Sequence, residues 1–148
     1  MGRTMEMNVE PPLHWMLHPR LEKDAVAVGD LLLSRILIMN DANFPWLLLV
    51  PRCVGAIEII DLAEHERMSL MAEIAQVAAA LKMLTACDKL NIATIGNVVP
   101  QLHVHIIARR RGDPAWPKPV WGQVAPLDYD PRALDHFVET LRDRLWLD

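Results

Sequence analysis

A chain of 148 residues, 52% of them hydrophobic, is long enough to bury most of its apolar surface without disulfides, metal staples or a second core. Its net charge of −4 argues against the broad basic surface that grips many nucleic-acid phosphates, and its two cysteines, Cys53 and Cys87, stand in neither metal-ligand nor redox spacing. The N-terminal sequence holds no apolar run of signal-peptide length, and no stretch reaches the eighteen or so apolar residues of a membrane span. The expectation is one cytoplasmic domain, spanning 1–148, with buried thiols and neither nucleic acid nor membrane as a partner.

Residues 1–13 read as a loose arm. Val26–Val28 and Leu31–Met39 are rich in Leu, Ile and Val on either side of Gly29-Asp30, which predicts a hairpin with its turn at that pair. Asn40-Asp41-Ala42-Asn43 interrupts the apolar run, Trp46–Val50 resumes it, and Pro51 stops it because proline cannot donate to a ladder. Ile57–Ile60 reads as a further short strand. Beyond it, Leu70, Met71, Ile74, Val77, Ala78, Leu81 and Leu84 recur at helical steps and predict a long amphipathic helix, with Met68 and Met71 in its core stripe. Asp61 and Glu64 have the spacing of a capping box at its start. Leu90–Val98 and Leu102–Ala108 read as two more strands. Residues 113–148 form an extension in which Asp130-Pro131 opens a second helix, carrying Leu134, Phe137, Val138, Leu141 and Leu145 on one face. The pattern is that of an α+β domain with a mainly antiparallel sheet.

Within the last predicted strand Gln101, His103 and His105 alternate with Leu102, Val104 and Ile106. Strand side chains alternate between faces, so the three polar groups share one face and are expected to line an open cleft, while the other face is apolar. Two imidazoles on one face suit acid, base, nucleophile or ligand work. They also form a partial zinc site, but no third protein ligand stands nearby in sequence, and neither metal nor cofactor is expected.

The run Gly96-Asn97-Val98-Val99-Pro100-Gln101-Leu102-His103-Val104-His105-Ile106-Ile107-Ala108-Arg109 resembles the signature of the histidine triad superfamily, and the resemblance extends over residues 25–112. Trp116–Gly122 is similar to the segment after the motif in a bacterial subgroup with Gln-Leu-His-x-His. The resemblance implies a five-stranded, mainly antiparallel sheet with one long helix and a C-terminal helix, a homodimer, and a nucleotidyl hydrolase or transferase. Its substrate would be a nucleotide-type small molecule of the dinucleoside polyphosphate or nucleoside phosphoramidate class.

In such proteins the middle histidine attacks the α-phosphorus and forms a nucleotidyl-histidine intermediate, and His103 matches it; His105 matches the third histidine, which contacts phosphate oxygen or the departing group. Gln101 stands where the first histidine is expected, and Trp46 where many members have a histidine at the start of the preceding strand. Glutamine hydrogen-bonds but carries no charge and passes no proton, so a nucleotide-binding protein with little turnover is the alternative. A register shifted by one step would make His105 the nucleophile. Asn40 matches the residue that holds the ribose hydroxyls, with Asp41 as the fallback; both are also common turn residues. Asn97 matches the motif's phosphate-contacting amide, and Asn91 is a further candidate for that loop. Arg109 would support the anion or, with Arg110 and Arg111, form a solvated strand end. Trp116 and Trp121 would cover a base, pack the proline-rich loop or form a dimer contact.

Overall fold

The computed structural model describes residues 14–145 and 147; the expected arm at 1–13 lies outside the described residues. Its elements are α1 (Pro19–Asp24), β1 (Ala25–Asp30), β2 (Ser34–Met39), β3 (Trp46–Pro51), α2 (Glu64–Thr85), β4 (Lys89–Ala93), β5 (Val104–Arg109) and α3 (Pro131–Leu145). The strands form one sheet in the order β1-β2-β3-β5-β4, with every neighbouring pair antiparallel. One face packs on Leu70, Ile74, Val77 and Leu81 of α2 and on Val138, Leu141 and Leu145 of α3. The opposite face is covered by Leu21 of α1 and by Phe44, Val99, Ala115 and Val120 from the connecting segments.

Both long helices run over the segments where apolar periods predict helices. Asp130 accepts the Ala133 amide at the start of α3, and the proline after it needs no donor there. Four local expectations are corrected. The hairpin turn is not at Gly29-Asp30: those residues still pair, with Ile36 and Arg35, after a bulge between Ala27 and Gly29. The turn falls at 31–33, where Glu73 of α2, itself only 6% exposed, accepts the amides of both Leu33 and Ser34 at 3.0 Å. A buried carboxylate that satisfies two backbone donors pins the turn to the helix more firmly than the Gly-Asp pair pins it locally.

The Ile57–Ile60 segment is no strand. Asp61 accepts the amides of Ile57 and Glu58, which curls the chain into a 3-10 turn at Ile59–Asp61 and leaves Ile57, Ile59 and Ile60 exposed. Asp61 is therefore not the cap of α2. Ala63 occupies that place, and Glu66 reaches back to its amide at 2.8 Å. Met68 and Met71 lie outside the core, because the buried stripe centres on Leu70, Ile74, Val77 and Leu81 while the methionines ride its flank at 68% and 65% exposure. With apolar residues on two sides, α2 is long and apolar enough by composition to cross a membrane, yet its inner stripe is part of the sheet core. Cys87 is buried, whereas Cys53 is only partly so and donates to Glu66.

Candidate functional site

The period-two reading of the motif strand holds in three dimensions. Val104, Ile106 and Ala108 enter the core under α2, and His105 and Ile107 face the other way, opposite Leu48 and Trp46 of β3. The ordered strand starts only at Val104, so Gln101 and His103 belong to the approach to it. The cleft is tighter than an open edge. His103 is 5% and His105 3% exposed, with their rings 4.8 Å apart and edge to face.

The ring of His103 is oriented by its own chain. Its Nδ1 lies 2.7 Å from the Gln101 carbonyl oxygen, which accepts only, so Nδ1 carries a proton and Nε2 is the nitrogen that holds the lone pair in the neutral ring. Gly96 gives the ring its room: a Cβ there would stand 2.9 Å from His103 Cε1 and 2.9 Å from the Val99 oxygen. A recess of about 170 Å³ opens beside this ring, lined among others by Glu58, Thr94, Gly96, Asn97 and Gln101. Asn97 is exposed at its rim.

The environment of His105 differs. The Trp46 indole N–H donates to Nδ1 at 3.0 Å, and Nε2 donates to the Ile95 carbonyl at 2.7 Å. Burial pushes this imidazole down to about 4; the Ile95 carbonyl opposes the shift and neighbouring His103 adds to it. In the unfolded chain the ring titrates near its ordinary value of about 6.5. Between these values the unfolded state binds the extra proton, so the stability His105 contributes is complete above about pH 6.5 and is lost as pH falls towards about 4. The gap corresponds to roughly 3 kcal/mol. Urea unfolding at pH 7 and at pH 4.5 should show most of that loss, and His105→Gln should flatten the difference; an equally steep loss in the variant would assign it to other groups.

Gln101 spends its side chain on backbone. Its Oε1 accepts the His18 amide at 2.8 Å and its Nε2 donates to the Met16 carbonyl at 2.9 Å. A primary amide presents an acceptor and a donor side by side, as a peptide unit does, and so clips onto residues 16 and 18 as a strand rung would. The segment before α1 is thereby fastened next to the nucleophile candidate.

Trp46 and Trp121 flank the histidines. Their rings lie 5.6 Å apart, and Trp121 meets His105 edge to face at 5.0 Å. Trp116 sits instead over the Arg109 guanidinium at 5.7 Å. Arg109 is not part of a solvated strand end, although Arg110 and Arg111 are exposed. It is 1% exposed, binds Asp113 through Nε at 2.7 Å and Nη2 at 3.0 Å, and donates from Nη1 to Asn91 at 2.8 Å. Asn91 stands opposite Ile107, one same-face position beyond His105, with its oxygen taken by Arg109.

Asn40 and Asp41 border a second recess of about 340 Å³, together with Arg20, Lys23, Trp46 and Asp128. Both also hold the chain after the motif. Asn40 donates to Asp128 and accepts the Tyr129 amide, while buried Asp41 accepts the Leu127 amide and two donors of Asn43. Trp46 lies between the recesses, since it lines this one and bonds His105, whose ring packs on the His103 that lines the other. Among the described residues no group of three or more His, Cys, Asp or Glu side chains could hold a metal ion.

The HIT domain family matches residues 20–112. The chain belongs to the histidine triad (HIT) family. That family comprises nucleotide-binding proteins, hydrolases and transferases. Three solved HIT structures share the fold over 89% of this chain. A histidine triad protein from Bradyrhizobium japonicum is 57% identical with a TM-score of 0.88, the match covering 98% of that chain. One from Sinorhizobium meliloti is 40% identical, TM-score 0.87, with 98% of that chain covered. One from Marinobacter aquaeolei is 39% identical, TM-score 0.87, with 96% covered. No curated protein matches this HIT chain.

Several groups at the HIT site were not singled out from the sequence: α1 with Arg20 and Lys23, the Ile95 carbonyl, Glu58, Thr94 and Asp113. A signal existed for two of them. His18-Pro19 followed by Glu22 is a helix start, and His18 does cap α1 by accepting the Arg20 amide. Asp113 stands four residues after Arg109. The Ile95 carbonyl has no signature, because any residue supplies one.

Proposed function

We propose that this HIT protein is a nucleotidyl hydrolase or transferase that acts at the α-phosphate of a nucleotide-type substrate, with His103 Nε2 as the nucleophile. The observation that supports it is the 2.7 Å contact between His103 Nδ1 and the Gln101 carbonyl, which selects the tautomer of the neutral ring whose Nε2 lone pair can form a bond to phosphorus. A nucleotidyl-histidine splits one slow displacement into two easier ones, the second ended by water or another acceptor. In this reading the recess at Asn40, Asp41 and Trp46 takes the nucleoside, and Asn97 and Gln101 border the phosphates; the second imidazole, His105, stands beside the nucleophile. Asn91 supports the site through Arg109.

The protein would work in the cytoplasm as a homodimer. β4 is an edge strand with Ile92 exposed at 48%, and the Met68 and Met71 flank of α2 is uncovered, which suits a second copy. A second reading, nucleotide binding with little turnover, is favoured by Gln101, whose amide is committed to residues 16 and 18 and puts no imidazole at that place. Incubation with dinucleoside polyphosphates and nucleoside phosphoramidates, with a chelator control and parallel binding titrations, separates the readings. The proposal expects chelator-insensitive turnover and a nucleoside-monophosphate adduct in quenched protein; binding without turnover supports the second reading.

A further inference from the structure

Trp46 is spent on a histidine that a nucleotidyl-transfer site could otherwise use as an acid. An indole nitrogen only donates, and it stands 3.0 Å from His105 Nδ1, so Nδ1 must be the unprotonated nitrogen. The ring's proton is then on Nε2, where the Ile95 carbonyl, an acceptor only, receives it at 2.7 Å. Both edges of the ring are fixed by partners of opposite kind, and the hydrogen-bond capacity of the neutral ring is used up. A second proton could go only to Nδ1, where it would oppose the Trp46 N–H, donor against donor. Trp46 and Trp121 rings pack at 5.7 Å and 5.0 Å from the imidazole, and among the described residues the ionisable side chain that acts on it is that of His103, 4.8 Å away.

We propose that Trp46 is a positioning residue that locks His105 as the neutral Nε2–H tautomer, so that the site has no imidazole acid for the departing group and acts on phosphoanhydrides in preference to phosphoramidates. This rests on His103 being the nucleophile. In the first step the His103 Nε2 lone pair forms the N–P bond, the bond from phosphorus to the bridging oxygen breaks, and its electron pair leaves on that oxygen. The Nδ1 proton stays on the ring, hydrogen-bonded to the Gln101 carbonyl. A nucleoside phosphate or polyphosphate departs as a stable anion and needs no proton from the protein. An amine must be protonated to leave, and a positioned general acid is typically worth about 10²–10⁴ in rate. His105 directs its one proton at a carbonyl and cannot give it up without breaking the lock.

The test has two arms. Long-range ¹H–¹⁵N correlation spectra of the full-length, ¹⁵N-labelled protein report the tautomer of His105 without any substrate. The expected result is an unprotonated Nδ1 and a protonated Nε2 throughout pH 6–8, with Trp46→Phe shifting the ring towards a tautomer mixture that titrates closer to neutrality. An Nδ1-protonated or cationic His105 in the unaltered protein would overturn the lock, and that reading does not depend on how well the variant folds. The second arm compares kcat/KM for a dinucleoside polyphosphate and a nucleoside phosphoramidate carrying the same nucleoside. A preference of about a hundredfold or more for the anhydride is expected, narrowing in Trp46→Phe. Equal rates, or a preference for the phosphoramidate, would defeat the substrate assignment. If neither compound is cleaved, the proposed function falls and the substrate assignment with it, while the spectra still decide the lock.

Discussion

Alanine at His103 should reduce kcat by a factor on the order of 10⁴–10⁶ and eliminate the covalent adduct, since deleting a nucleophile removes the reaction path rather than weakening it. The side chain is already aligned for this step, with Nδ1 on the Gln101 carbonyl and the ring edge against Gly96. Gln101→Ala leaves that carbonyl in place but releases residues 16 and 18, so a slower enzyme is expected, with the adduct still on His103. His105→Ala should likewise slow the reaction by disturbing a neighbour that packs 4.8 Å away. Peptide mapping of protein quenched during turnover is the decisive measurement. An adduct on His105 would overturn the assigned register, and unchanged turnover by the His103→Ala protein would end the covalent mechanism.

Arg109→Met should destabilise the protein by about 3–5 kcal/mol, the usual cost of leaving one member of a buried ion pair without its partner. Burial by itself would raise the Asp113 carboxyl; the Arg109 guanidinium and the amides of Arg110 and Ala115 outweigh it and hold the carboxyl below its ordinary value. Methionine fills much of the space between Phe44 and Trp116 but satisfies neither Asp113 nor Asn91. Chemical unfolding of Arg109→Met, Asp113→Asn and the double variant checks this. The double variant should recover part of the loss, because both charges are then gone. A strictly additive double variant would mean that the pair contributes no coupling.

The parts of the fold legible in the sequence are those encoded by a local period. The alternation through Leu102, Val104 and Ile106 identifies the face that carries the histidines, and the three- and four-residue steps identify α2 and α3. The departures arise where a distant partner overrides a local pattern. Glu73 is 40 and 39 positions from the amides of the hairpin turn it holds, and nothing near Gly29-Asp30 announces it. The same holds for Gln101, 83 residues from the amide it accepts, and for Asn40, 88 from Asp128. Their residue types suggest substrate contact, but the sequence carries no mark of the backbone groups that engage them. Met68 and Met71 depart from expectation for another reason: an apolar helix with two oily sides does not declare which of them faces its own sheet.

The fastenings around the site bear on the thermodynamics of ligand capture. Gln101 holds the segment before α1, Asn40 and Asp41 hold residues 127–129, and Asp113 ties the start of the post-motif loop to Arg109. Each of these three stretches is secured by hydrogen bonds formed as the chain folds. Their conformational entropy is therefore lost before any ligand arrives, and little remains to be lost on association. Under the proposed function, capture is expected to amount to desolvation and contact with a prepared surface, without the large unfavourable ordering entropy of a loop that folds around its guest.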